Sequence, residues 1–320
     1  MKKIRLGIIN STYVKISPFT KKGTEIFANI LIKSLVKYYK NELAITSFCS
    51  GNSTVSTKKI SVMYHPSSEN KQVGLKNNHL FEMALFSKAI QMHSKFDLYH
   101  FNLGNGEFIF PFASFIKKPI VVTMHGTGKE PYLHRLFHLY KDVPNVYFVT
   151  ISAYQRKNIP FLQHIKTIHH GIDTDIFAFN EAGNKKIIWS GRAVPEKGLD
   201  TVMQIARRLK KPAKIFPIIK TEYIDWLHEE ILKKRDIINQ IVKIDIDFNV
   251  ARANLVKEYQ QSKVFLFPLK WDEPFGLTMI ESMSCGTPVI AYARGSVPEI
   301  VKDGETGFIV NPSDDDIRGN

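Results

Sequence analysis

Short, continuous apolar runs recur through the first half of the chain at residues 4–9, 44–48, 98–101, 120–124 and 147–151. Runs of this kind, without strict alternation, are expected of strands covered on both faces by helices. Between the first two, residues 25–40 place Ile26, Ile30, Leu31 and Leu35 at helical spacing, with Lys33, Lys37 and Lys40 on other faces. That predicts an amphipathic helix packed on a sheet, and residues 80–93 predict a second.

The pattern restarts in the second half. Strands are expected at 186–190, 213–217, 241–246, 264–268, 289–293 and 306–310, and helices at 199–209, 224–234 and 254–261. A further helix runs from about Leu277 through Met279, Ile280 and Met283, with Gly286 as its stop. Residues 165–179 read as the crossing between two halves. Strand–helix alternation of this form predicts an α/β protein with two Rossmann-like domains, 1–172 and 173–320.

Composition narrows the function classes. The 320 residues can build two full cores, and 44% hydrophobic with 23% charged residues is ordinary for globular chains. Two cysteines, Cys49 and Cys285, exclude a disulfide framework and fit a reducing cytoplasm. The longest apolar segment, 108–116, is broken by Pro111 and is too short to span a bilayer, so a soluble protein is expected. Residues 1–170 carry 23 Lys and Arg against 8 Asp and Glu, a net +15, whereas residues 171–320 are near neutral at −1. The first half therefore suits an anionic partner, or reflects a lysine-rich proteome. No zinc-finger spacing, aromatic RNA-binding motif or helix-turn-helix pattern accompanies the charge, which argues against nucleic acid. Peripheral contact with an anionic membrane, or an acidic acceptor, fits better.

The most informative stretch is Trp271-Asp-Glu-Pro-Phe-Gly-Leu-Thr-Met-Ile-Glu281. It follows the strand-like run 264–268, so Glu273 falls at a strand's carboxyl end, where open α/β sheets bind ligands. Phe275 to Glu281 spans roughly 9 Å of helical rise, about the length of a diphosphate with a sugar at one end and a ribose at the other. Backbone N–H groups at Phe275, Gly276, Leu277 and Thr278 would meet phosphate at a helix entrance. Glu273 would accept hydrogen bonds from sugar hydroxyls, and Glu281 from the ribose. Spacing alone would equally fit ordinary capping; the preceding strand tips the balance.

Other candidates surround this one. Arg192 and Lys197 lie in a loop opened by Gly191 and closed by Gly198, where two cations could clamp a diphosphate and stabilise charge on a leaving nucleotide. His125 ends the run 120–123 just before Gly126-Thr127, placed to touch a sugar or simply to cap a turn. Gly23, in the loop after the first strand, would let backbone approach phosphate. His134, His138, His164, His169 and His170 lack ligand-type spacing and read as structural. The Asp-x-Asp patterns at Asp173, Asp245 and Asp314 sit beside no donor motif, so no metal is expected.

These segments, in order, resemble the family-4 glycosyltransferases of the two-domain GT-B fold. The resemblance rests on Lys22-Gly23-Thr24-Glu25, His125-Gly126-Thr127, His170-Gly171-Ile172-Asp173, Gly191-Arg192…Lys197-Gly198, Glu273…Glu281 and Gly295-Ser-Val-Pro-Glu299, and covers about residues 4–312. Ser152-Ala-Tyr-Gln-Arg156 and Trp271-Asp-Glu-Pro-Phe are similar to a subgroup that includes the avilamycin glycosyltransferase and tetrahydrobiopterin glucosyltransferases. The resemblance implies two domains facing a central cleft and a retaining, metal-independent transfer of a hexose from a nucleotide-diphosphate sugar such as UDP-glucose. His125, Arg192, Lys197 and Glu273 would act in catalysis. The acceptor, a glycan, lipid or small metabolite, is not named by the sequence. The family usually has two adjacent glycines where Lys22-Gly23 stands, and it normally continues well beyond Asn320. Two alternatives stay open: an epimerase on the same fold, which would need extra catalytic acids, and an impaired homologue that binds without turnover, which the shorter end favours.

Overall fold

A computed structural model describes residues 2–181, 183 and 186–312. The Asp314 pattern and the final residues lie outside that range. The chain divides into two compact units, Met1–Gly171 and Ile172–Asn320.

The first unit is built from β1 (Ile4–Asn10), α1 (Gly23–Tyr39), β2 (Leu43–Phe48), β3 (Lys58–Ile60), α2 (Asn78–Gln91) and β4 (Leu98–Asn102). It continues with α3 (Phe110–Ala113), β5 (Ile120–Thr123), α4 (Pro131–Leu139), β6 (Val146–Thr150), α5 (Ala153–Asn158) and β7 (His164–Thr167). Its strands form one parallel sheet in the order β3-β2-β1-β4-β5-β6-β7. Successive side chains of a strand point to opposite faces, so Leu6 and Ile8 pack with Ala28 and Ile32 of α1. Ile9 packs on the other face with Leu85 and Phe86 of α2 and Phe137 of α4.

The second unit contains β8 (Ile187–Arg192), α6 (Leu199–Leu209), β9 (Ala213–Ile218), α7 (Ile224–Trp226), α8 (Lys233–Ile238) and β10 (Ile244–Ile246). Then come α9 (Arg252–Gln260), β11 (Val264–Phe267), α10 (Leu277–Ser284), β12 (Val289–Tyr292), α11 (Val297–Ile300) and β13 (Gly307–Val310). A π-helical stretch, Leu227–Leu232, joins α7 to α8, where the sequence predicts one continuous helix. The order β10-β9-β8-β11-β12-β13 is again wholly parallel. Ile187 and Trp189 pack under Val202, Met203 and Ala206 of α6, while Ile188 joins Leu255 and Met279 on the opposite face. Leu199, Val202, Met203 and Ala206 are all buried, the stripe that the helical spacing predicts.

Six elements escape the sequence pattern: β3, β7, α3, α4, α5 and α11. The strand β7 pairs with β6 and occupies residues assigned above to the crossing, so that assignment is corrected: the chain leaves the first sheet only after Thr167. In both sheets the strand order reverses once, between β1 and β4 and between β8 and β11, and the carboxyl ends there form the crevice where such sheets take ligands.

In the second unit the crevice is shaped by Gly198. Its φ of 69° is left-handed, and a Cβ there would stand 1.9 Å from the carbonyl oxygen of Pro268, just past β11. Gly198→Ala is therefore expected to destabilise the second unit by about 3 kcal/mol, from strained backbone plus a steric clash. Urea denaturation would check this; an unchanged midpoint would refute the packing account.

Candidate functional site

In the second unit the loop after β8 is fastened to the segment after β11. The Lys270 N–H donates to the Glu196 carbonyl at 2.9 Å, Lys270 Nζ reaches Asp200 at 2.7 Å, and Trp189 Nε1 donates to the Lys197 carbonyl at 3.2 Å. These contacts bring the two loops of the switch point together. Lys197 Nζ consequently pairs with Glu273 Oε2, which also accepts from Trp271 Nε1 at 3.0 Å. The indole lies beneath two cations, with Lys197 Nζ 4.7 Å and Arg192 Cζ 5.7 Å from its ring centre. Burial lowers the pKa of the Lys197 ammonium, and the Glu273 carboxylate opposes that shift. Arg192, Lys197 and Glu273, separate in sequence, thus share one aromatic floor.

Gly276 stands at the N-cap of α10 with φ 88°, where a Cβ would meet Met279 Cε at 2.6 Å. Phe275 is buried beneath the turn, and its carbonyl accepts from Ser296 Oγ at 2.8 Å. Gly295, also left-handed, lets the following turn press on Glu273; a Cβ would lie 2.3 Å from the Glu273 carbonyl oxygen. Leu277 and Thr278 begin the helix and are half-buried. Gly191 lies within the last two residues of β8.

Glu281 sits one turn further along α10, in a setting spacing could not disclose. It is buried, and Arg252 of α9 holds it, with Nε donating to Oε1 at 2.8 Å and Nη2 2.7 Å from the same oxygen. Desolvation raises the Glu281 pKa and Arg252 lowers it again. Glu281 therefore has a charged protein partner on Oε1.

In the first unit His125 follows β5, between the ends of β4 and β6. Its loop is bracketed by two amides: Asn105 Oδ1 accepts from the Gly126 N–H at 2.8 Å, and Gln155 Nε2 donates to the Met124 and Gly126 carbonyls at 3.1 and 2.5 Å. Gln155 is fully buried at the start of α5, where Ser152 caps the helix by accepting from its N–H at 3.1 Å. A Ser-x-x-Gln spacing is a capping-box signal that the sequence carried. His125 Nε2 lies 2.5 Å from Asn102 Oδ1 at the end of β4. Its ring stacks on His170 at 5.3 Å, and both meet Phe27 of α1, at 5.3 and 4.6 Å. His170, read above as structural alone, is thus part of the His125 surroundings. Burial holds His125 well below the usual imidazole pKa, helped by repulsion from His170, His100 and Lys22. Burial likewise brings His100 and His170 down to about 4.

Gly23 opens α1 beside Lys22, whose ammonium lies 3.3 Å from the buried Glu25 Oε1 and over the Tyr13 ring. Lys22 is thereby tied to its own helix. His134, His138 and His164 bond backbone carbonyls at 2.7, 2.7 and 2.9 Å. Asp245 and Asp247 face Lys243 and Lys214, and no cluster able to hold a metal occurs among the described residues.

Residues 172–317 match the family model described as "Glycosyl transferases group 1". A curated relative, the D-inositol 3-phosphate glycosyltransferase of Mycolicibacterium smegmatis, is 27% identical over 168 residues, 47% of this chain and 37% of the relative. The chain spans between 14% and 37% of the length of the curated relatives it matches. Among solved structures, HepE of Anabaena with UDP and glucose superposes with a TM-score of 0.70 at 16% identity, over 98% of this chain and 88% of that one. AviGT4, a glycosyltransferase of avilamycin A biosynthesis, gives 0.67 at 14% identity, over 98% and 87%.

Removing Arg252 would leave Glu281 buried without its counter-charge. Arg252→Met is expected to destabilise the second unit by about 3 kcal/mol at neutral pH. The carboxyl pKa, already raised in the folded state, would rise further, so the deficit is full above that raised value and shrinks as pH falls through it towards the unfolded one. Denaturation curves from pH 8 to 5 would check this, and Arg252→Met with Glu281→Gln should recover most of the loss. Together these comparisons show a chain with the GT-B fold whose second unit, the one carrying Arg192, Lys197, Glu273 and Glu281, matches the group 1 glycosyl transferases.

Proposed function

We propose that the protein is a retaining glycosyltransferase that moves a hexose from a nucleotide-diphosphate sugar, UDP-glucose or a close relative, to an acceptor without a metal ion. One observation carries this reading. Lys197 and Glu273 pair over Trp271, beside Arg192 and the entrance of α10, in the unit that matches the glycosyltransferase model. The pairing itself suggests a sequence of events. A diphosphate arriving at Arg192 and Lys197 offers the buried ammonium a stronger counter-charge than one carboxylate. Lys197 then turns to the phosphates, and Glu273 is released to accept from sugar hydroxyls. Backbone N–H groups at Phe275, Gly276, Leu277 and Thr278 receive phosphate oxygens, and the helix dipole adds to the attraction.

As the bond to the sugar breaks, negative charge grows on the leaving phosphate, where the two cations stabilise it. In a front-face transfer that phosphate takes the acceptor's proton, so no side-chain nucleophile is required. His125 contacts the transferred sugar, and Gly23 lets the backbone at the start of α1 approach phosphate. Glu281, its Oε1 engaged by Arg252, receives the ribose hydroxyls on Oε2. UDP and UDP-glucose are bound in the HepE structures, which supports the choice of donor. The acceptor is a glycan, a lipid or a small metabolite. The first unit's net +15 suits an anionic or lipid-linked one at a cytoplasmic membrane face.

Calorimetric titration with UDP, GDP, ADP and their glucose conjugates tests the reading. UDP and UDP-glucose should bind best, and Lys197→Ala should weaken both by about 1–3 kcal/mol. Glu281→Gln, which keeps an acceptor for Arg252, should weaken UDP by a similar amount. Hydrolysed or transferred sugar should first appear as the donor's own anomer by NMR, and chelation of divalent ions should leave the rate unchanged. Failure of every nucleotide to bind would overturn the proposal.

A further inference from the structure

A chain of side-chain amides leads from the core of the first unit to His125. Asn10, at the end of β1, is 1% exposed, and Asn102, at the end of β4, is fully buried. Asn10 Nδ2 points at two backbone carbonyls, Phe48 O at 3.3 Å and Ile8 O at 3.4 Å. Asn102 Nδ2 donates to Asn10 Oδ1 at 3.2 Å, and Asn102 Oδ1 meets His125 Nε2 at 2.5 Å.

Carbonyl oxygens only accept, so this chain has a direction. The two carbonyls require the NH2 group of Asn10 to face them. Asn10 Oδ1 must then face Asn102 and accept from it, which sets Asn102 with Oδ1 towards the imidazole. That oxygen can only accept, so the hydrogen must sit on His125 Nε2. Flipping either amide would set oxygen against oxygen, or NH2 against NH2, at a buried position where an unmade hydrogen bond is strongly destabilising. Register supports the order: Asn10 and Asn102 are paired partners across β1 and β4, which places their side chains on the same face of the sheet.

We propose that Asn10 and Asn102 are positioning residues that lock His125 in the Nε2–H tautomer, leaving Nδ1 as a hydrogen-bond acceptor for a substrate hydroxyl. Nδ1 forms no hydrogen bond among the described residues. The titratable groups acting on the ring are His170, His100 and Lys22, and all of them, with burial, disfavour the imidazolium. A neutral ring with one lone pair selects a ligand group that can donate, such as a sugar hydroxyl. It rejects carboxylate or phosphate oxygens, which would bring a second lone pair against it. The last step, contact with a sugar hydroxyl, rests on the glycosyltransferase reading above; the tautomer does not.

Nitrogen-15 NMR of the histidine side chains separates the two. His125 is identified by the resonances lost in His125→Gln. In the unliganded protein at neutral pH, Nδ1 should show the pyridine-type shift and Nε2 the pyrrole-type shift. The reverse pattern, or an imidazolium, overturns the proposal. Asn102→Leu should convert the single tautomer into a mixture, whereas Asn102→Asp should keep Nε2–H, through an oxygen that still accepts, and raise the ring's pKa. An unchanged tautomer in Asn102→Leu would also overturn it; if that variant does not fold, the wild-type and Asn102→Asp spectra still decide. In titrations, Asn102→Leu should reduce the affinity advantage of UDP-glucose over UDP by about tenfold, as loss of one hydrogen bond predicts, while UDP itself binds as before. Absence of binding by either nucleotide, with the expected tautomer present, would refute the glycosyltransferase reading and leave the amide relay standing. An equal advantage in wild type and Asn102→Leu would refute the role of Nδ1 in holding the sugar.

Discussion

Everything distinctive about the second unit depends on how closely the backbone after β8 approaches the backbone after β11. Gly198 makes that approach possible: only a residue without a Cβ fits 1.9 Å from where the Pro268 carbonyl oxygen stands. Once the two segments touch, Lys197 has little choice of direction, because its backbone carbonyl is held by Trp189 and the neighbouring Glu196 carbonyl by Lys270. The ammonium is carried over Trp271 to Glu273. The clustering of Arg192, Lys197 and Glu273 thus follows from a packing constraint in the backbone, with side-chain electrostatics added afterwards.

This unit holds two ion pairs, each with one buried member, and neither is justified by stability alone. Lys197–Glu273 and Arg252–Glu281 each take charges out of water, a penalty that the mutual attraction offsets only in part. Packed hydrophobic residues would serve a purely structural end as well or better. The pairs differ in how they are held. Arg252 grips Glu281 through two nitrogens and also lies over Phe177 at 4.6 Å, so that carboxylate is fixed in position. Lys197 has a flexible stem and pairs directly with Glu273 through one oxygen, so its pairing can be exchanged for a ligand's charge. The Arg252 pair is suited to orient a hydrogen-bond acceptor and the Lys197 pair to switch.

How much of this was legible in the sequence depended on range. Strands such as β1 and β11 announce themselves because both faces are covered and most of their residues are apolar. The edge strands β3 and β7, reading Lys-Lys-Ile and His-Ile-Lys-Thr, are largely exposed and carry no such run. Helix α4 buries only Leu133 and Phe137, too thin a stripe to stand out among its polar neighbours. The residues of the loops after β8 and β11 were nameable because glycines with left-handed backbone punctuate them. Partners were not: Arg252 lies 29 positions from Glu281, and Asn10 lies 92 from Asn102. No periodicity links positions that only the parallel register of a sheet brings together. Ser152 and Gln155 were the exception, a local signal present in the chain whose second role, holding the His125 loop, needed the fold to appear.

The two units meet the same demand, an organised polar edge, by opposite means. The second keeps charges and compensates them in pairs. The first, despite its surplus of lysine, keeps its edge neutral: His100, His125 and His170 are all pushed towards their uncharged forms by burial, and nearby Lys22 is paired with Glu25. That neutrality is what gives the amide chain from Asn10 its meaning. A charged imidazolium donates from both nitrogens and has no tautomer to choose. A neutral one can be set by its neighbours to donate on one side and accept on the other. The buried carbonyls of Ile8 and Phe48 therefore reach His125 not by their charge but by the direction in which they oblige each successive hydrogen bond to run.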